Sequence, residues 1–191
     1  MKQVRQLVVR HRALDPTAWT ALTALADRPS GTRPTALARA DLWEFEWQGA
    51  PEVEQELSQW ARTANWFANP NRDRATWRKA ASDATDLEAG AALASGGSGA
   101  TGTGAYLVTT WRGAVRSSEH EAAARRALGM AVRVRRAQVW WLAAQGQDPA
   151  RALAEAGGTS LGGLLANPHS QEARLYATSL PVPAIEEQEG R

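Results

Sequence analysis

Two periodicities alternate along the chain. Residues 3–10, QVRQLVVR, are a short β-favouring run. Asp15-Pro16 then reads as a helix start, with the aspartate as N-cap and the proline in the first helical position, where its missing N–H costs nothing. Trp19, Leu22 and Leu25 share the following helical face, and that helix is expected to stop before Pro29 in the turn-rich RPSGTRP. In DLWEFEWQG (41–49), Trp43, Phe45 and Trp47 alternate with Glu44 and Glu46, which predicts a strand with one apolar and one charged face. Pro51 is expected to open a second helix, striped by Val53, Leu57, Trp60, Ala64 and Phe67. Asn69-Pro70 is expected to end it, because the residue before a proline is pushed out of the α region. ATWRK (75–79) closes the series as a short strand.

The same order recurs. AYLVTTW (105–111) predicts a strand, Ser117 or Ser118 caps a helix that Gly129 ends, and VRVRRAQVWWLAAQG (132–146) predicts a long strand. Asp148-Pro149 starts another helix, Leu161, Leu164 and Leu165 lead into Asn167-Pro168, and QEARLYATSL (171–180) is expected to hold a last strand. Between the halves, residues 80–104 are rich in Ala, Gly, Ser and Thr and read as a flexible linker; residues 181–191 read as a loose tail. The chain thus divides into 1–79, 80–104, 105–180 and 181–191. Gly97, Gly99 and Gly102 spell G-x-G-x-x-G, but a strand follows them where a dinucleotide site needs a helix, so phosphate binding is not inferred.

Setting ADLWEFEWQG (40–49) on AQVWWLAAQG (137–146) matches Ala40 to Ala137, Trp43 to Trp140 and Gln48-Gly49 to Gln145-Gly146. One inserted residue later, FANP (67–70) falls on LANP (165–168). A tandem duplication follows as the expectation. The fold class is α+β: two ferredoxin-like β-α-β-α-β repeats packed as a pseudo-dimer, with Trp43, Trp47 and Trp140 hidden where one unit meets the other.

These segments resemble a known family. VRVRRAQVWWLAAQG, DPARALAEA and LLANPHSQEARLY resemble PurS, the small subunit of phosphoribosylformylglycinamidine synthase, and RALDP (12–16) resembles that family's L-D-P segment between first strand and helix. The family's N-P-V-I-E is replaced here by Asn69-Pro70-Asn71-Arg72-Asp73 and Asn167-Pro168-His169-Ser170-Gln171. The resemblance implies a subunit that is not catalytic alone. It implies a pairing that bridges a PurL-like synthetase and a PurQ-like glutaminase subunit, and a duplication that fuses the pair into one chain. The interface residues it marks are Asp15, Pro16, Asn69, Pro70, Asn167 and Pro168.

Composition narrows the alternatives. A net charge of +2 with Lys2 and Lys79 as the only lysines gives no strong case for nucleic acid. Without cysteine there is neither a disulfide nor a thiolate metal site, and no run approaches a membrane span, so a cytoplasmic protein without membrane partner is expected. His11, His120 and His169 lack metal-ligand spacing, and no nucleophile elbow or P-loop lysine is present, so no catalytic residue, metal or cofactor is inferred. Glu44 and Glu46 share a strand face that is expected to be solvated. Arg133 and Arg135 share another, which suits a phosphate or an acidic partner surface. The alternative function is a tandem ferredoxin-like module that binds a small ligand at the seam between repeats, or RNA.

Overall fold

The computed structural model describes residues 1–27, 33–49, 53–94, 104–113, 115–145, 148–156 and 163–185. Among the described residues eleven elements follow one another: β1 (Lys2–His11), α1 (Pro16–Ala26), β2 (Arg33–Gln48), α2 (Val53–Thr63), β3 (Asp73–Arg78), α3 (Leu87–Ala94), β4 (Ala105–Trp111), α4 (Ser118–Leu128), β5 (Val132–Gln145), α5 (Pro149–Ala156) and β6 (Gln171–Tyr176). The fold is α+β. All six strands form one antiparallel sheet in the order β3-β1-β2-β5-β4-β6. Pro51 and the linker residues 95–103, with Gly97, Gly99 and Gly102, lie outside the described residues.

The central pair is β2 with β5. Their register sets Asp41 against Gln138, Trp43 against Arg136, Glu44 against Arg135 and Arg39 against Trp140. Period-two alternation then assigns each residue to a face. Trp43, Phe45, Trp47 and Trp140 lie on one face, under α1, α2, α4 and α5. There α1 and α5 pack over Leu37, Leu107, Trp140 and Leu142, while α2 and α4 pack over Leu7, Trp43, Phe45 and Trp47. The expected stacking of one half on the other is therefore replaced by edge-to-edge hydrogen bonding of two long strands. The tryptophans are covered by helices, not by a second sheet.

The opposite face is covered by two segments read from sequence as loose. Helix α3 buries Leu87 and Ala91 completely, and Leu180, Ala184 and Ile185 of the C-terminal segment join the same core with Trp141 and Val139. Small alanines suffice because this face of β2 is itself Ala36, Ala38 and Ala40, so backbone and sheet approach closely. Burying Leu87 alone is worth about 2 kcal/mol. Polar contacts fix the entry to α3: Thr85 Oγ1 accepts from the Leu87 N–H at 3.3 Å, Tyr106 donates to Glu88 at 2.8 Å, and Asp86, at φ +62°, lies 2.9 Å from Arg10 and 2.7 Å from Arg74. Burial and the Glu88 bond push the Tyr106 hydroxyl up to about 12. At Gly104 a Cβ would fall 2.0 Å from the Trp141 ring, so only glycine lets β4 begin there.

The Asn-Pro pairs are not helix stops. Helix α2 ends at Thr63, the chain turns at Asn65 (φ +52°), and Phe67 packs beside the helix on Trp43 and Phe45. Helix α5 ends at Ala156, well before Asn167. Both pairs instead form a tight turn that launches an edge strand, and the two turns carry the same bonds. Asn69 Oδ1 accepts from Asn71 N at 3.0 Å, and Asn167 Oδ1 from His169 N at 3.0 Å. Asn69 O accepts from Asp73 N at 2.7 Å, and Asn167 O from Gln171 N at 2.7 Å. Asn69 N donates to Asp73 Oδ2 at 2.9 Å, and Asn167 N to Gln171 Oε1 at 2.8 Å. The end of the neighbouring strand bonds to each turn, through Arg12 N to Arg72 O and Arg112 N to Ser170 O. Asparagine fits because its side chain accepts from the backbone two residues on. Asn69→Ala and Asn167→Ala are each expected to cost about 1 kcal/mol, equal within a few tenths, in urea unfolding.

Candidate functional site

The helical face of the sheet opens into a cleft of about 510 Å³ above Asp41 and Gln138, where the α1/α5 pair parts from the α2/α4 pair. Its floor comes from β2 and β5 and its rim from the 65–73 turn and the start of α4. Arg39 and Arg136 flank the Asp41–Gln138 pair, and each lies over the tryptophan opposite it on the neighbouring strand. Arg39 sits 5.8 Å from the Trp140 ring centroid, and Arg136 sits 5.0 Å from that of Trp43. A guanidinium on an indole face is attracted by the ring quadrupole. Among the described residues neither indole N–H has a hydrogen-bond partner.

The two arginines differ in what else holds them. Asp15, the N-cap of α1, accepts from Thr17 N and from both Arg39 Nε (2.9 Å) and a terminal Arg39 nitrogen (3.3 Å). Ser117 occupies the corresponding place before α4 but makes no side-chain cap; its hydroxyl meets His120 Nδ1 at 2.5 Å. Among the described residues Arg136 therefore has a single carboxylate bond, to Asp41 at 3.2 Å, and its side chain is half exposed. His120 sits 5.0 Å from Trp43, 5.6 Å from Trp66 and 5.1 Å from Phe67. Burial, with Arg136 nearby, pushes its imidazole below the ordinary 6.5 against the pull of Glu119, which favours the neutral ring. At the far wall Asp73 is buried. Burial alone would raise its carboxyl, but bonds from Arg72 and the Asn69 N–H, with the charges of Arg72 and His11, together hold it below the usual range.

The sequence-marked residues separate into three places. Asp15, Trp43, Trp140 and Asn69 border the cleft or its neighbouring hollow beside α1. Pro16 is the first residue of α1; Trp47 is buried under α2 with Arg5 5.9 Å from its ring; Pro70, Asn167 and Pro168 belong to the turns. Arg133 and Arg135 lie on the other sheet face. Arg135 is buried there, 2.8 Å from Glu46 and 3.7 Å from Glu44, and it donates to Ile185 O at 3.1 Å. It is no open anion site, because the strand register places glutamates directly across from both arginines. Nor are Glu44 and Glu46 solvated as the alternation suggested. Glu44 is completely buried, and burial pushes its carboxyl above the ordinary 4.5 although Gln6, two backbone N–H groups and Arg135 pull it down.

Arg39 is not singled out by the sequence, and Arg136 stands out there only as the neighbour of Arg133 and Arg135 in the densest basic patch. They stand one residue before the aligned Ala40 and Ala137, and extending the alignment by that residue brings them into register. Among the described residues no group of three acidic, histidine or cysteine side chains is placed to hold a metal, and no helix is long and apolar enough to cross a membrane. No family model, curated protein or solved structure matches the chain.

Proposed function

We propose that the chain is a tandem-duplicated PurS-like subunit. It is a fused pseudo-dimer of two β-α-β-α-β repeats that bridges the synthetase and glutaminase subunits of phosphoribosylformylglycinamidine synthase without catalysing a step itself. The observation that carries the duplication is the matched pair of Asn-Pro turns, whose side-chain and backbone bonds coincide although the residues after the proline differ. The sheet order supports it too: read inward from either edge, the strands run third, first, second of their half. Asp41 and Gln138, equivalent in the sequence alignment, face each other across the central pair, which is where a two-fold axis between equivalent strands must pass. The bridging role itself rests on the family resemblance of the A-N-P and L-D-P segments.

The test is reconstitution. The tagged full chain is mixed with the synthetase and glutaminase subunits of its source organism, with glutamine and nucleotide present, and the mixture is resolved by size-exclusion chromatography with light scattering. A complex containing all three chains is the expected result. Failure of the chain to associate with either subunit sinks the bridging role, while leaving the duplication to stand or fall on the turns.

A further inference from the structure

We propose that the cleft over Asp41 and Gln138 binds a small α-amino acid with an apolar or aromatic side chain. The argument starts from the inequality of Arg39 and Arg136. Asp15 spends the fork of Arg39, whereas Ser117 offers Arg136 no carboxylate, so Arg136 presents a guanidinium whose one bond among the described side chains goes to Asp41. The plane of a guanidinium matches a carboxylate in two parallel bonds. Asp41 lies beside it, more than a third exposed. An exposed Arg–Asp pair at 3.2 Å is complementary to the head group of a zwitterion, with the carboxylate on Arg136 and the ammonium on Asp41.

The rest of the wall selects against other anions. Asp15, Asp41 and Asp73 line the cleft together with Arg10, Arg39, Arg72 and Arg136; Arg10 is paired with Asp86 at 2.9 Å, so the remaining charges cancel and a phosphate dianion meets as much repulsion as attraction. Beyond the head group stand Trp66, about half exposed, Phe67 and the His120 ring, an aromatic wall suited to an apolar side chain. Trp43, 4% exposed, forms part of the floor of the same cleft. The volume of about 510 Å³ falls within the usual span for small-molecule sites. The site does not depend on the bridging role, since it is built within one chain.

Isothermal titration calorimetry on the full chain tests it, with L-phenylalanine and L-leucine as ligands. The comparison probes are 3-phenylpropionate, which lacks the ammonium, phenethylamine, which lacks the carboxylate, and inorganic phosphate. Binding of at least one amino acid is expected, with each truncated analogue weaker by about tenfold or more. Arg136→Ala is expected to weaken binding about 10- to 100-fold. Ser117→Asp, which gives Arg136 the partner that Asp15 gives Arg39, is expected to weaken it about tenfold without lowering the urea midpoint. Arg136→Lys, which keeps the charge but not the fork, checks the loss in a variant that retains a cooperative urea transition. No binding of either amino acid at millimolar concentration overturns the proposal. So does phosphate binding as tightly as the amino acids, or unchanged affinity in both Arg136→Ala and Ser117→Asp.

Discussion

Replacing Arg78 by methionine is expected to lower unfolding free energy by about 3–5 kcal/mol. The side chain is 1% exposed and has no carboxylate within bonding distance among the described residues. Its charge is instead solvated by oxygens from three separate parts of the chain. It donates to Gln6 Oε1 at 2.6 Å, to Asp83 O at 3.0 Å, to Ala81 O at 3.2 Å and to Leu180 O at 2.8 Å. Methionine keeps much of the volume but orphans those acceptors, and buried acceptors without donors cost about 1–3 kcal/mol each before relaxation. Arg78→Lys retains a charge but cannot reach all of them at once, so it is expected to recover only part of the loss. Urea unfolding with intrinsic tryptophan fluorescence measures both. A loss under 1 kcal/mol for the methionine variant would mean that the guanidinium does not organise this face of the sheet.

Glu44→Ala is expected to be comparably costly at neutral pH, about 3–5 kcal/mol. One of its oxygens accepts from Gln6 Nε2 at 2.8 Å and from the N–H groups of Ala184 and Ile185, the latter at 3.2 Å; the other faces Arg135. Alanine strands two buried backbone donors and frees residues 180–185 from the sheet. The pH dependence has a definite sign. Because burial holds the folded-state carboxyl above its ordinary 4.5, the native protein takes up that proton more readily than the unfolded chain. Stability from this group is fully present below about pH 4.5 and declines as pH rises through the folded value. The difference in unfolding free energy between wild type and Glu44→Gln should therefore shrink with rising pH. A difference that is flat or grows would contradict a raised carboxyl.

Both residues show what the sequence conceals. Period-two alternation correctly placed Glu44 opposite Trp43 and Phe45, and then suggested water for it, because alternation reports which face and not what covers that face. The cover comes from LEAGAALA and from LPVPAI, at positions 87–94 and 180–185. In the first, alanine and glycine blur the helical stripe; the second lacks regular structure altogether. Packing on an alanine-lined sheet needs only small residues, so the usual signal of a core helix is absent. Apart from α3, the element order was legible because strands and amphipathic helices carry their period within ten residues. The α2 boundary was not, because Phe67 continues the stripe in sequence while the chain leaves the helix at Thr63. In the cleft, the tryptophans and Asp15 were readable as special positions. The contrast between Arg39 and Arg136 needs the register of two strands far apart in the chain.

That register also has a kinetic side. The longest strand pair joins residues such as Glu46 and Arg135, 89 apart in sequence, and the Glu44 bonds to residues 184 and 185 span 140 and 141. Pairings of consecutive strands within each half, such as Val9 with Asp41 or Thr109 with Gln138, close shorter loops than the central seam and the C-terminal cover do. Long-range pairings slow folding because chain entropy is lost before contacts repay it. The order of events follows: each half gains its local strands and helices first, the seam zips next, and the C-terminal segment locks last. In hydrogen exchange during refolding, amides of β1 and β4 would gain protection before those of residues 184 and 185.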